Sequence, residues 1–285
     1  MKKRAILGQL AVLLASVALL CVYNICDAMR TDRTAPQIEV AAGELSLSVE
    51  APKSALLDGV VAVDDVDGDV TDQIVIESVY GVTDQHCITV TYAAFDHSGN
   101  VSKKERTVRY TDYQSPRFSL SESLTYPFGE GFDVMAAVGA EDVFDGDIQR
   151  LVKATMLTSG TTVKEEGMHD VQFRVTNSVG DTAQLILPVE VYPADSYNAE
   201  LYLSTYLVYL NPGDSFDADE FVTEFQYLGR TVDLREKRPE MMNVKISGSV
   251  NTQVPGVYPI SYLASYSLDG RTFTGYAKLF AVVEG

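Results

Sequence analysis

The sequence predicts an all-β protein, three successive two-sheet sandwiches behind a single apolar amino-terminal helix. Three observations carry that reading: a self-similarity with offsets of 78 to 81 residues, a period-two alternation of apolar and polar side chains inside each copy, and one charge-free stretch confined to the first 30 residues. The composition agrees. With 46% of its 285 residues hydrophobic, 20 Gly and 10 Pro, the chain has apolar surface for packed cores and turn residues to join short strands.

Residues 5–26, AILGQLAVLLASVALLCVYNIC, carry no charged side chain. At about 1.5 Å per helical residue this run reaches roughly 33 Å, the thickness of a bilayer core. Lys2, Lys3 and Arg4 precede it, and Arg30 and Arg33 follow it, partly offset by Asp27 and Asp32. The positive-inside bias therefore predicts a transmembrane α-helix with a cytoplasmic amino terminus and everything after it outside the cell. A cleaved signal peptide is the rival reading, but its apolar core is usually about 7 to 15 residues, and the best small-residue site here is only Cys26-Asp27-Ala28. Lipid attachment at Cys21 is opposed by Leu19 and Leu20, where a small residue is needed. The expectation is an uncleaved anchor in the cell membrane with a single pass.

After residue 34, VTYAAFDHSGN at 90–100 aligns with VQFRVTNSVGD at 171–181. Upstream, Asp64 and the turn Asp67-Gly68-Asp69 align with Asp142 and Asp145-Gly146-Asp147, and APQIEV from Ala35 aligns with SPRFSL from Ser115. A third copy diverges further: GVYPISY at 256–262 fits GMHDVQF at 167–173, but the Asp-Gly-Asp turn is gone. Within the copies Ile88, Val90 and Tyr92 alternate with Thr89 and Thr91, and Val171, Phe173 and Val175 with Gln172, Arg174 and Thr176. Such alternation is that of half-buried strands. RTVRY at 106–110, LILPVEV at 185–191 and AKLFAVV at 277–283 close each copy as a last strand. Short strands punctuated by turns over 80 to 90 residues predict a two-sheet sandwich. Links of a few residues, at 111–115 and 193–196, predict a rod-like stalk with little hinge freedom.

DDVDGDVTDQIVI from Asp64, followed by VTYAAFDHSGNVSKKERTVRY from Val90, resembles the bacterial immunoglobulin-like surface modules of hyalin-repeat and cadherin-like type. In those modules an Asp-Gly-Asp turn precedes a Tyr-x-Ala-x-Asp-x-x-Gly-Asn hairpin. The resemblance is good over residues 35–111, fair in the second copy and partial in the third. It implies three tandem Ig-like domains, at 35–111, 112–193 and 194–285, behind an anchor and linker at 1–34. It also implies a spacer, an adhesive surface or an accessory domain of a larger assembly, so it speaks to fold more than to function.

Composition excludes some partners. Lys+Arg 22 against Asp+Glu 40 gives a net charge of −18 and a pI near 4.5, unsuited to a nucleic acid, whose phosphates need clustered Lys and Arg. Beyond residue 34 only Cys87 remains, so no intrachain disulfide can form there and stability must come from the cores. Catalysis by nucleophile and base has only His86, His97 and His169 to draw on. His86 and Cys87 are strand neighbours whose side chains diverge, and Asp96-His97-Ser98 is explained by Asx chemistry in a hairpin turn. No P-loop, HExxH, nucleophile elbow or CxxC occurs. The chain is expected not to be an enzyme.

Asp64, Asp65, Asp67, Asp69 and Asp72 crowd nine residues, a density of hard oxygen ligands that suits Ca²⁺. The register is not that of an EF-hand, since Val70 and Ile76 stand where Gly and Glu are required. The candidate ligands are Asp64, Asp67, Asp69 and Asp72, with Asp96 as a further donor, and in the second copy Asp142, Asp145 and Asp147. The plainer reading is a solvated Asp-Gly turn. Ca²⁺ is the one cofactor considered; otherwise none is expected.

Nine of the 16 tyrosines fall in residues 194–285, and Tyr202, Tyr206 and Tyr209 crowd LYLSTYLVYL. Exposed, they would form a platform for a glycan or protein partner; packed, they are ordinary strand residues of a core. LREKRPEMMN at 234–243 reads as an elaborated loop. The functional expectation is a membrane-anchored cell-surface stalk whose divergent third domain, farthest from the membrane, is adhesive or binds protein. Its competitors are an accessory subunit of an envelope enzyme or transport complex, a calcium-rigidified adhesion rod, and a glycan binder.

Overall fold

The computed structural model describes residues 2–30, 32–83, 86–129, 133–157, 165–236 and 238–285; within the first helix the side chains of residues 2–7, 9, 11 and 27–30 lie outside that description. Two compact units result, Met1–Asp112 and Tyr113–Gly285. The described strands form six sheets, and each sequence copy contributes one of three strands and one of four.

In the first unit, helix α1 (Lys2–Arg30) precedes the sandwich. Among the described residues no helix is long and apolar enough to cross a membrane, so the expected transmembrane segment is not supported by the fold. The sandwich comprises β1 (Gln37–Val40), β2 (Leu45–Leu47), β3 (Val60–Asp64), β4 (Gly68–Asp69), β5 (Val75–Tyr80), β6 (Cys87–Phe95) and β7 (Val101–Tyr110). One sheet runs β1-β3-β4 and the other β2-β7-β6-β5. The first strand of the copy is split: β1 pairs antiparallel with β3, then the chain crosses and β2 pairs parallel with β7. Alternation decides which side is inside, with Val60, Ala62 and Asp64 of β3 buried and Val61 and Val63 exposed.

The second copy repeats this plan with β8 (Arg117–Leu120), β9 (Thr125–Pro127), the one-turn helix α2 (Val134–Ala137), β10 (Val138–Asp142), β11 (Gly146–Asp147), β12 (Lys153–Met156), β13 (Gly167–Thr176) and β14 (Thr182–Tyr192). Its sheets are β11-β10-β8 and β12-β13-β14-β9. The third has β15 (Glu200–Leu203), β16 (Leu207–Leu210), β17 (Val222–Tyr227), β18 (Arg230–Asp233), β19 (Met242–Ser247), β20 (Gly256–Leu268) and β21 (Arg271–Val283), ordered β15-β17-β18 and β16-β21-β20-β19. Equivalent core positions hold Tyr92, Phe173 and Tyr262, all fully buried. The hydroxyl of Tyr92 donates to the Leu56 carbonyl (2.6 Å) and that of Tyr262 to the Ala218 carbonyl (2.9 Å). Phe173 fills the same place without a polar group to satisfy.

The rod-like expectation fails between the second and third copies, which share one hydrophobic core from Phe118 to Val283. The third sandwich folds back along the second: as the chain advances from Tyr276 in β21 to Glu284 just past its end, its partners retreat from Glu190 and Ser123 to Arg117. The third domain is therefore beside the second and does not extend the array beyond it. At the seam Lys278, nearly buried at 5% side-chain exposure, is ion-paired with Glu190. Tyr276 donates to the same carboxylate at 2.9 Å, and the Lys278 N–H donates to Ser123 Oγ at 2.8 Å. Tyr197 stacks on Tyr276 at 5.1 Å and meets Tyr192 edge-on at 4.8 Å, filling the link with aromatic surface. A link of few residues permits this turn because the two facing sheets supply an apolar seam that would otherwise lie in water.

Candidate functional site

The acidic turns are built alike in the first two copies, and most of their carboxylates hold backbone. Asp64 Oδ1 accepts from the N–H groups of Val66 and Asp67, both 2.9 Å, and Asp142 Oδ1 from Phe144 and Asp145, at 2.9 and 3.1 Å. Gly68 and Gly146 close these loops at φ +77° and +68°, a conformation a Cβ disfavours. Asp69 and Asp147 each accept from the N–H two residues on. Asp67 reaches across to the next hairpin and accepts from the His97 N–H at 2.8 Å; its counterpart Asp145 accepts from Ser178 N–H and Oγ at 2.6 and 2.7 Å. Asp72 is exposed. Within each turn the candidate acids thus do not gather at one point: Asx turns and inter-hairpin bonds aim Asp67 and Asp69, and Asp142, Asp145 and Asp147, at different amides, and Asp72 is left in solvent.

Among the described residues one group of carboxylates does converge: Asp32, Asp64 and Asp96, with a ligand oxygen of each within 4.8 Å of the others. Asp64 arrives at the end of β3, Asp96 at the end of β6, and Asp32 from the segment between α1 and β1. In all three, Oδ1 is held by backbone: Asp32 accepts from Thr34 N–H at 2.9 Å, Asp64 as above, and Asp96 from Asn100 N–H at 2.8 Å. Asn100 Nδ2 donates to Asp96 Oδ2 at 2.7 Å and to the Asp32 carbonyl at 3.3 Å. The Oδ2 atoms of Asp32 and Asp64 are buried and without a hydrogen-bond partner, and Asp64 is only 4% exposed. Asp64 was legible in the sequence as a turn acid and Asp96 as a further donor. Asp32 was not, because it lies outside the repeat.

The second copy resolves the same corner differently. Asn177 stands where the first copy has Asp96, and its Nδ2 donates to Asp142 Oδ2 at 2.9 Å and to the Tyr113 hydroxyl at 3.1 Å. Tyr113 in turn donates to Asp181 Oδ2 at 2.6 Å. Burial, then the hydrogen bond to the Asp181 carboxylate, pushes the Tyr113 hydroxyl far above its ordinary pKa, so it remains a donor. The third copy removes the charges altogether: Tyr227, Tyr266 and Phe273 pack there, Tyr227 at 5.2 Å from Tyr266 and 4.8 Å from Phe273.

Several first-unit carboxylates titrate low. Hydrogen bonds from Thr71, side chain and then backbone, lower Asp69, and those from Ser48 Oγ and Val49 N–H lower Asp112. Burial would raise Asp96, but the bonds from Asn100, Gly99 and Ser98 together outweigh it and its pKa is also lowered. Stability from such groups is present above the unfolded carboxylate value of about 3.9 and is lost as pH falls through the lower folded values. Tyrosine near-UV circular dichroism of the full chain is expected to hold down to about pH 4 and to collapse only below it. A transition centred above about pH 5 would contradict this.

The tyrosines expected to form a platform are placed otherwise. Tyr206 is buried, with its oxygen accepting from Leu203 N–H at 3.3 Å. Tyr209 is taken up by the second domain: its oxygen accepts from Phe118 N–H at 3.0 Å and Arg117 lies over its ring at 5.1 Å, while Arg117 also clamps Glu284. Tyr202 is half-buried and bonded to Glu200, which together with burial pushes its hydroxyl up to about 12. Core and seam positions account for two of the three, since a large ring gains most where it packs. The loop at 234–243, of which Lys237 lies outside the described residues, is tied down by Arg235 to Asp233 and Arg238 to Asp219.

The chain is thus a tandem β-sandwich protein with an acidic corner at the first copy. No family model matches it, and no curated protein matches it. Among solved structures, the protocadherin GammaB4 extracellular domain is 12% identical, with 87% of this chain and 49% of that one covered and a TM-score of 0.20. Drosophila N-cadherin EC1-4 is 12% identical over 79% of this chain and 63% of that one, at 0.21. CBM51-2 with INT domains from Clostridium perfringens ZmpB is 15% identical over 87% and 42%, at 0.23. The chain spans about half the length of the first of these. Likenesses this loose say nothing of function, and the fold rests on the sheets and registers above.

Proposed function

We propose that this is a non-enzymatic surface protein, held in the membrane by residues 5–26 with its amino terminus cytoplasmic, whose third sandwich binds a protein partner outside the cell. The charge-free run and the preceding Lys2, Lys3 and Arg4 support the anchor. One observation carries the binding surface. Where the first two copies have an acidic loop, the third has the two-residue turn Leu228-Gly229, and Leu228 takes φ +46° with 72% of its surface exposed. A large apolar residue in left-handed backbone is strained and, in water, gains nothing from its side chain. Met241, 63% exposed, precedes Met242, which pairs with Tyr266, and Leu228 follows Tyr227, which packs on Tyr266, so the two exposed residues are chain neighbours of one aromatic cluster. Strain and exposure together favour a contact made with something else.

The test presents the full chain in vesicles to immobilised extracellular proteins and glycans, and compares it with Leu228→Asn, which suits the turn. Asn should leave folding intact and cut protein capture about ten-fold, the effect of losing a modest hot spot. Equal capture by both chains would sink the reading; glycan capture abolished by Tyr202→Ala but not by Leu228→Asn would replace it with the glycan alternative.

A further inference from the structure

We propose that Asp32, Asp64 and Asp96 form a Ca²⁺ site that fastens the segment following α1 to the first sandwich. The site is not the Asp-Gly-Asp loop, whose Asp67 and Asp69 are engaged with amides. Three features converge on a cation. Three carboxylates from separated segments place ligand oxygens within 4.8 Å of one another. Ca²⁺ binds oxygen at about 2.4 Å, so two donors to one ion stand no more than about 4.8 Å apart, and these three carboxylates meet that limit. Each Oδ1 is fixed by backbone N–H groups, which orients the other oxygen inward, and for Asp32 and Asp64 that oxygen is buried with no hydrogen-bond partner.

The second copy serves as an internal control. It keeps the same backbone corner, but Asn177 and Tyr113 bring N–H and O–H donors to Asp142 and Asp181, and no carboxylate oxygen of that corner is left buried and unpaired among the described residues. In the first copy, among the described residues, Asn100 alone supplies side-chain donors to this corner, and three carboxylates face one another. A divalent ion neutralises most of their charge and satisfies both orphaned oxygens, whereas a buried carboxylate oxygen left unpaired is destabilising. Ca²⁺ suits the place better than Mg²⁺ because its coordination tolerates irregular ligands drawn from a linker, a strand end and a hairpin.

The experiment is calorimetric titration of the full chain, purified through chelator, with CaCl₂ and separately with MgCl₂, followed by thermal unfolding with and without Ca²⁺. One Ca²⁺ per chain is expected, with an upward shift of the first-unit transition, because a ligand of the folded state raises its stability. Asp64→Asn and Asp96→Asn should each weaken binding by about ten-fold or more. Should either fail to fold, Asp32→Asn decides, since Asp32 lies outside every strand and its loss should remove the ion while leaving the sheets intact. Exposed Asp72→Asn should change nothing. No heat and no shift at about 10 mM Ca²⁺, beyond even weak extracellular sites, or binding untouched by Asp32→Asn and Asp64→Asn, would overturn the proposal. The titration involves no partner, so its failure leaves the Leu228 surface standing, and loss of capture by Leu228→Asn leaves the ion site standing.

Discussion

Replacing Lys278 by alanine is expected to destabilise the Tyr113–Gly285 unit by about 3 kcal/mol, because it strands a largely buried Glu190 carboxylate in the seam between two sandwiches. Tyr276 still donates to Glu190, which keeps the loss toward the lower end of what breaking a buried pair costs. Urea unfolding of the full chain measures it, through the midpoint of the transition belonging to that unit. Because the two copies share one core, they should unfold together in the native protein. The double variant Lys278→Met with Glu190→Gln removes both charges at similar volume and should recover most of the stability. A loss below about 0.5 kcal/mol for Lys278→Ala would mean the seam is wet and the pair screened.

Asn177→Asp should cost about 3 kcal/mol at neutral pH, although it changes one atom. Nδ2 of Asn177 is a donor to both Asp142 and Tyr113, and the substitution turns it into a third negative oxygen beside Asp142 and Asp181. Like charges at this separation force a folded-state pKa upward. The sign follows: a carboxyl whose folded pKa lies above its unfolded value binds more protons when folded, so the penalty is full at neutral pH and shrinks as pH falls toward about 4. Wild type should show the opposite slope on its acid side. Stability curves of the two chains between about pH 4 and 7 give the comparison, and parallel curves would falsify the role assigned to Asn177.

Much of this architecture was legible in the sequence because it is written in short-range chemistry. The period-two runs VTYAAF and VQFRV place Tyr92 and Phe173 inward, and Gly68 and Gly146 mark turns where positive φ is needed. The divergence of the third copy was also legible, as the missing acidic turn. The acidic corner was half legible. Asp64 and Asp96 stood out, but proximity in sequence pointed to Asp67, Asp69 and Asp72, and those carboxylates are held elsewhere or left in solvent.

What the sequence determined alone is the all-β class, the repeat and the turns at Gly68, Gly99, Gly146, Gly180 and Gly270, since alternation and backbone preference act over a few residues. Tertiary structure alone decided that the third sandwich doubles back on the second, that Tyr209 and Lys278 face a seam, and that Asp32 joins Asp64 and Asp96. Each of these depends on which surfaces and side chains meet across distances of 30 to more than 160 residues. No periodicity records such meetings, because long-range packing is selected by the fit of whole faces and not by the residues on either side of a position.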